Sequence, residues 1–181
     1  MSASISGDFR TDAGMLCVWD PDAFHTTHRL DSWETEAEIV RHIKAGHLAP
    51  INVAGPTNGK HRVIVRVGND KLAARLTERE RKYFLLESDP YRLQTSGRIC
   101  ISGLEYVERQ PGASVGVLPL RAGEYVVKLY LISWHEEPGM EKRNGDPKPG
   151  ALPDFVMLVN PKPKGKPVIF RTKMFAMEPP K

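Results

Sequence analysis

The segment DPDAFHTTH contains residue types that bind transition metals. Four candidate ligands fall within nine positions: Asp20, Asp22, His25 and His28. Carboxylate oxygens and imidazole nitrogens are groups that zinc accepts, and a proline-containing loop without periodicity could bring all four together. Because no second cluster with ligand spacing occurs elsewhere in the sequence, a polar loop is the favoured interpretation. A metal-dependent enzyme using this segment is kept as an alternative.

A second segment, GPTNGKH, has the glycines and lysine of a phosphate-binding loop. That loop also needs a Ser or Thr after the lysine to hold magnesium, and a helix whose N-terminus meets the anion. Here His61 follows Lys60, and the next residues alternate as they do in a strand. We therefore predict a β-hairpin turn around Asn58 and Gly59 in place of a nucleotide site.

Two serines have possible bases close in the sequence. Ser102 is followed by Gly103, and Ser133 precedes Trp134 and His135. Neither serine lies in the strand-to-helix turn that exposes a nucleophile, and no third residue is placed to orient a base. The sequence therefore predicts a non-enzymatic protein that needs no cofactor.

Charge is distributed unevenly along the 181 residues. The formal net charge is +4, yet residues 1–50 carry eight acidic and four basic groups, while residues 151–181 carry two acidic and six basic groups. A basic surface that binds nucleic acid is one alternative function, since arginine and lysine neutralise phosphates. Its candidate residues are Arg62, Arg66, Lys162, Lys164, Lys166, Arg171 and Lys173.

Recognition of a protein partner is the function that the sequence favours most. Aromatic side chains anchor interfaces, and carboxylates present a phosphate-like surface to a basic partner. The predicted partner-binding residues are Glu34, Glu36, Glu38, Tyr130, Trp134, His135, Glu136, Glu137 and Glu141.

The elements that must position these residues are mostly strands. GEYVVKLYLISW, residues 123–134, is predicted as a long strand with apolar groups on both faces. One face belongs in the core, and the other needs a cover from a second sheet, a helix or a partner. Further strands are predicted from MLCVWD, INVA, HRVIVRV, RICISGLEYVE, VGVLPL, FVMLVN and VIFRTKMFAM.

One amphipathic helix is predicted over residues 31–47. Asp31 and Glu34 fit a capping box at its start, and Gly46 fits its C-terminal stop. Its apolar stripe is predicted to include Trp33, Ala37, Val40 and Ile43. A second, short helix could be capped by Thr77 and Glu80, whereas the preceding LAARL is compatible with a strand.

Short strands separated by turn signals, with one clear helix, predict a mainly β (α+β) fold. The expected architecture is a β-sandwich or a strongly curved antiparallel sheet carrying the helix. We expect one domain over residues 1–181, with a loose leader over about 1–13 and a long polar loop at 135–153.

Cys17 and Cys100 lie in apolar runs and are expected to be buried and reduced. Reduced cysteines are typical of the cytoplasm, so the sequence favours a cytoplasmic protein.

The segments YRLQTSGRICISGLEYVE, LRAGEYVVKLYLISW and LPDFVMLVNPKP follow one another along the chain and carry a likeness that covers residues 92–160. This layout resembles small bacterial β-rich proteins of unknown function. It is also similar to competence-type nuclease inhibitors, whose long strand opens with a comparable turn, here Leu120, Arg121, Ala122, Gly123, Glu124 and Tyr125. The resemblance implies a non-catalytic immunity protein or inhibitor that binds and neutralises a bacterial toxin, with a nuclease as the target class.

Overall fold

The computed structural model describes residues 3–24, 36–53, 59–108 and 110–177. In chain order the elements are β1 (Ser4–Thr11), β2 (Met15–Trp19), α1 (Glu36–Ala45), β3 (Leu48–Val53), β4 (Gly59–Val67), α2 (Glu78–Tyr83), β5 (Phe84–Glu87), β6 (Tyr91–Thr95), β7 (Arg98–Gly103), β8 (Gly116–Pro119), β9 (Gly123–Ile132), β10 (Phe155–Pro161) and β11 (Phe175–Met177). Short 3₁₀ turns lie at Pro21–Phe24, Leu104–Tyr106 and Trp134–Glu136.

Within these ranges the strands form two sheets. The first has the order β1, β4, β10, β9, β5, and β6 also pairs with β9; the second has the order β11, β3, β2, β7, β8. Most neighbouring strands are antiparallel, but β10 runs parallel to β4, and β11 runs parallel to β3. The predicted mainly β fold with one main helix is confirmed.

The space between the two sheets holds the main hydrophobic core. Val63, Val65 and Val67 point inward from β4, as their alternation predicts. Leu16 and Ile101 of the second sheet belong to the same cluster. Each fully buried aliphatic side chain of this kind contributes about 1.5–3 kcal/mol to folding, so this shared core is the principal link between the sheets.

Both faces of strand β9 pack against other parts of the chain. Its inner face, with Val127 and Leu129, packs in the core between the sheets. Its outer face, with Tyr130 and Ile132, packs in a smaller cluster whose other buried members are Leu76, Trp134, Ala151, Leu152, Val156 and Leu158. The strand prediction is therefore confirmed, and the second cover is supplied by residues from the α2 region and from both ends of the 135–153 loop.

Helix α1 is confirmed over Glu36–Ala45, and Gly46 ends it with a φ of 76°. The predicted apolar stripe is partly wrong, because Ala37 is exposed and the buried side chains are Ile39, His42 and Ile43. His42 enters the core by stacking on the ring of Phe24, with 4.8 Å between ring centroids. The predicted capping residues Asp31 and Glu34, and Trp33 of the stripe, lie outside the described residues.

Three other predictions are corrected. Residues 4–11, expected within a loose leader, form β1, which pairs antiparallel with β4 along its whole length. The expected hairpin between INVA and HRVIVRV does not form, since β3 and β4 belong to different sheets. In VIFRTKMFAM only Phe175–Met177 is a strand, and residues 168–174 follow an irregular path.

Both cysteines are free and buried, as expected. Burial raises the pKa of the Cys100 thiol to about 12, so this thiol stays protonated at neutral pH. In the part of the chain that the structure describes, no helix is long and apolar enough to cross a membrane.

Residues 73–76 form a strap across the outer face of the first sheet. Asn160 of β10 holds the strap with its side-chain amide, which accepts from Ala74 N at 2.7 Å and donates to Ala74 O at 3.2 Å. The strap crosses directly over Gly68, where an added Cβ would lie 2.5 Å from Ala74 N and would also collide with the Asn160 side chain. Only glycine therefore fits beneath this crossing.

We expect Gly68→Ala to lower the free energy of unfolding by about 2 kcal/mol, because the added methyl group displaces the strap from Asn160. Urea unfolding measures this change. Gly112→Ala is the matched control, since a Cβ there finds its nearest atom at 3.6 Å. That control should leave stability unchanged or raise it by up to about 1 kcal/mol. Equal stability of the two variants would contradict the described crossing.

Candidate functional site

The carboxylates predicted to bind a partner fall into two groups. In the first, Glu36 and Glu38 are exposed in the first turn of α1, and Glu38 Oε1 lies 3.7 Å from Arg41 Nη2. Glu34, predicted with them, lies outside the described residues. Helix α1 contacts β3 and β6, and β6 pairs with β9 from Gly123 to Val127.

The second group surrounds the 3₁₀ turn Trp134–Glu136 that follows β9. Trp134 is buried, and its Nε1 donates to Asp154 Oδ1 at 2.8 Å. The His135 ring stacks on the indole, with 3.6 Å between ring centroids, and its Nδ1 lies 4.0 Å from Glu141 Oε1. A partner approaching this turn meets the exposed side chains of His135, Glu136 and Glu141.

Glu137 differs from its neighbours because it is clamped by an arginine. Arg79 of α2 donates to both carboxylate oxygens of Glu137, at 2.5 and 2.6 Å, and also to Gly150 O at 2.8 Å. These hydrogen bonds hold the pKa of Glu137 below its ordinary value. The hydrogen bonds of Arg79 connect α2 to both ends of the 135–153 loop. Glu137 therefore stabilises the surface to which Glu136 and Glu141 belong.

The structure does not bring the two carboxylate groups together. The first group lies in the first turn of α1, and the helix contacts β6 beyond its other end, where Gln94 N donates to Gly46 O. The second group begins only after Ile132, the last residue of β9. The two groups therefore belong to different elements and form two separate acidic surfaces.

Tyr130, predicted as an interface anchor, is largely withdrawn from solvent, with 8% of its surface exposed. Its ring packs edge-on against Phe84, with 6.3 Å between ring centroids. Burial and the neighbouring Glu87 raise the pKa of the Tyr130 hydroxyl to about 12, so this hydroxyl remains a hydrogen-bond donor.

The two aspartates proposed as metal ligands organise a loop. Asp20 is buried and accepts from the backbone amides of Asp22, at 2.9 Å, and Ser96, at 2.8 Å. Asp22 accepts from Ser96 Oγ at 2.5 Å and from Arg98 Nη2 at 3.2 Å. His25 and His28 lie outside the described residues. Among the residues that are described, no three His, Cys, Asp or Glu side chains are grouped so that they could hold a metal ion.

A histidine pair near these aspartates was missed by sequence reasoning. Nδ1 of His42 lies 3.0 Å from Nδ1 of His47. Burial and the proximity of His47 lower the pKa of His42 to about 4. At neutral pH one ring therefore donates to the other, and the pair joins the C-terminal turn of α1 to β3. The only sequence signal is the placement of these two histidines on either side of the helix-ending Gly46.

The basic residues proposed for nucleic-acid binding are mostly engaged with carboxylates. Four of the seven are ion-paired: Arg62 with Asp8 at 3.5 Å, Arg66 with Glu80 at 2.6 Å, Lys162 with Glu124 at 2.9 Å, and Arg171 with Asp89 at 3.2 Å. Lys164, Lys166 and Lys173 follow in the connector after β10, which comprises residues 162–174. Because the pairs cancel charge locally, the predicted basic face is largely neutralised.

The pair of Glu80 and Arg66 anchors α2 to the first sheet. Glu80 is 2% exposed and receives two hydrogen bonds from Arg66, at 2.7 and 2.6 Å. It also accepts from Thr77 N at 2.7 Å, while Thr77 Oγ1 accepts from Glu80 N at 3.2 Å, which completes the predicted capping box. Burial raises the pKa of Glu80, but these hydrogen bonds outweigh it, so the net pKa lies below its ordinary value.

A groove lies on the outer face of the first sheet and has a volume of about 680 Å³. Val126 and Tyr130 of β9 and Leu158 of β10 form its floor. The strap at 73–76 lies on its border, and so does the start of the connector after β10. None of its residues except Tyr130 was singled out from the sequence as a binding residue.

This two-sheet fold with a helix on its surface occurs in other solved structures. One is the crocagin biosynthetic gene J protein, with a TM-score of 0.55 and 20% sequence identity over 90% of this chain and 98% of that one. Another is ComJ from Bacillus subtilis, an inhibitor of the DNA-degrading activity of NucA, with a TM-score of 0.51 and 10% identity over 90% of this chain and 99% of that one.

These likenesses span nearly the whole of each structure and concern the fold. They confirm the resemblance to nuclease inhibitors at the level of architecture. No family model matches the sequence, and no curated protein matches it.

We expect Glu80→Gln to lower the free energy of unfolding by about 3 kcal/mol at pH 7, because Arg66 loses its anionic partner in a largely buried site. Since the pKa of Glu80 is lowered in the folded protein, its stabilisation is present above the ordinary value of 4.5 and disappears as the pH falls through the lowered value. Urea unfolding across this pH range should show the wild type and the variant converging in acid.

Glu78→Gln is the matched control, since Glu78 is exposed in the first turn of the same helix. It should change stability by at most about 0.5 kcal/mol. A loss of equal size in both variants would show that helix charge, and not the buried ion pair, determines the effect.

Proposed function

We propose that this chain is a non-catalytic binding protein that neutralises a bacterial toxin, in the manner of an immunity protein, and that the toxin is a nuclease. The observation that carries the proposal is the fold shared with ComJ, which inhibits the DNA-degrading activity of NucA. That likeness covers 90% of this chain and 99% of ComJ, so it concerns nearly the whole fold.

The docking surface that we propose is formed by His135, Glu136 and Glu141 around the turn after β9. All three side chains are exposed, and the buried Trp134 beneath them fixes the position of the His135 ring. Nucleases bind a polyanion and therefore present basic clefts. Carboxylates held on a rigid turn are complementary to such a cleft and can occupy the place of phosphates.

Rigidity of this surface supports the proposal, because a preorganised surface loses little conformational freedom on binding. Arg79 fastens Glu137 and Gly150 to α2, and Lys148 Nζ donates to Gly139 O at 2.8 Å within the loop. The loop at 135–153 is thus fixed at several points although it is long and polar.

The acidic turn of α1, with Glu36 and Glu38, is proposed as a second contact with the same partner. A partner that contacts both surfaces must bridge the first turn of α1 and the turn after β9. Binding to DNA through the basic strand face has less support, since Arg62, Arg66 and Lys162 are paired with carboxylates.

The central test is inhibition of DNA cleavage by NucA and by any nuclease toxin whose gene lies beside the gene for this chain. We expect the wild-type protein to abolish DNA cleavage at about equimolar concentration. Glu136→Lys combined with Glu141→Lys should weaken inhibition by about 100-fold, which corresponds to roughly 3 kcal/mol, because two attractive contacts become repulsive. The apparent inhibition constant from titrated cleavage assays measures the change.

The control is Asp70→Lys combined with Glu108→Lys, which changes the net charge by the same amount as the Glu136 and Glu141 variant. Both of its residues lie outside the two proposed surfaces, so inhibition should stay within about twofold of wild type. Equal loss in both double variants would point to net charge and not to a docked surface. Full inhibition by the Glu136 and Glu141 variant would remove this surface from the proposal. Salt-sensitive binding to DNA, with no inhibition of either nuclease, would contradict the proposed function itself.

A further inference from the structure

The groove over the first sheet is bounded by fixed parts of the chain. Asn160 holds the strap on one side by its two hydrogen bonds to Ala74. On another side the connector is held by Arg171, which donates from its backbone amide to Pro90 O at 2.8 Å and from its guanidinium to Met174 O at 3.0 Å. The groove is therefore a formed cavity in the folded chain.

The groove is predominantly apolar, and one exposed aromatic side chain lines it. Among the described residues the most exposed large apolar side chains are Leu72, Phe84, Val117 and Ile169. Phe84 lines the groove, and Leu72 and Ile169 are adjacent in sequence to its lining residues Ala73 and Val168. Exposed apolar groups that gather around one cavity indicate a ligand site more strongly than scattered ones do.

The charges at the groove are biased toward cations. Its charged lining residues are Arg75, Arg81, Lys128 and Glu87. Lys128 is paired with Glu87 at 3.2 Å. Within the described ranges neither Arg75 nor Arg81 has a carboxylate within ion-pair distance, and both are exposed. The two arginines therefore offer unneutralised guanidinium groups at the border of an apolar cavity.

The volume of the groove and the pairing of the strands beneath it favour a small ligand over a protein segment. A volume of about 680 Å³ falls in the range of small-molecule sites, which is about 300–1,000 Å³. The strands beneath it, β9 and β10, are hydrogen-bonded to each other, and each has another strand on its far side. An extended peptide would thus find no free strand edge in the groove with which to pair.

From this combination we infer that the groove binds a small amphipathic anion. Its apolar body would lie on Val126, Tyr130 and Leu158, and its anionic group would meet Arg75 and Arg81. This binding is a further property of the chain and does not depend on the proposed inhibition of a toxin. It is measured without any protein partner, so either proposal can fail while the other stands.

The test uses the full-length protein and the fluorescent anion 1-anilinonaphthalene-8-sulfonate as the probe. We expect saturable binding with a stoichiometry of one, and displacement by dodecanoate. Dodecyltrimethylammonium has the same apolar chain with the opposite charge and should displace the probe at least tenfold less effectively. Equal displacement by both compounds would overturn the assignment of an anion site, and the absence of saturable probe binding would overturn the groove as a ligand site.

Two pairs of variants locate the site. Arg75→Gln with Arg81→Gln should weaken dodecanoate binding by about tenfold, whereas the control Arg143→Gln with Lys166→Gln, at exposed residues that do not line the groove, should not. Phe84→Ala should weaken it by about fivefold through lost apolar contact. Its control is Val117→Ala, because Val117 is 43% exposed, like Phe84 at 42%, but lies in the second sheet.

Thermal unfolding of every variant establishes that it is folded, since the probe also binds partly unfolded chains. Equal affinities in the groove variants and their controls would overturn the proposal.

A third competitor, a short peptide with apolar and acidic side chains, tests whether a protein segment occupies the groove. Displacement by this peptide without displacement by dodecanoate would identify a protein-docking groove and contradict the small-ligand assignment.

Discussion

The structure depends on the need to cover both faces of β9. An apolar strand face left in water is costly, and this strand has two of them. The second sheet covers Val127 and Leu129, while Tyr130 and Ile132 are covered by a smaller cluster that includes Leu76. This outer cover is made of short and irregular segments, so it closes only part of the face. The groove is the part that remains open.

Charged residues hold these irregular segments in place. The carboxylates of Glu80 and Glu137 each receive hydrogen bonds from an arginine in a different element, and Glu124 accepts from Lys162 just after β10. Partial burial strengthens such pairs relative to those on an open surface, and their geometry fixes the segments that the hydrophobic core does not reach. As a result, fewer charged side chains are available to a partner than the composition suggests. The exposed carboxylates of the turn after β9 are among those that remain available.

Local patterns predicted the elements well and their pairing poorly. Alternation identified β4, a long run with apolar groups on both faces identified β9, and the pair Thr77 and Glu80 identified α2, because each signal is contained in a few neighbouring residues. The hairpin expected at Asn58 and Gly59 failed because β3 and β4 belong to different sheets, which no local signal reports. At the site, Glu137 was found as a carboxylate, but its role depends on an arginine 58 positions away.

The parallel pairing of β4 with β10 has a consequence for the order in which the fold can form. Asp154, at the start of β10, accepts a hydrogen bond from the backbone of Arg62, a residue 92 positions earlier. During synthesis β4 therefore emerges long before the strand that will lie beside it, and one of its edges stays open until β10 has been made. Late closure of such a distant contact is entropically costly and favours slow, cooperative folding.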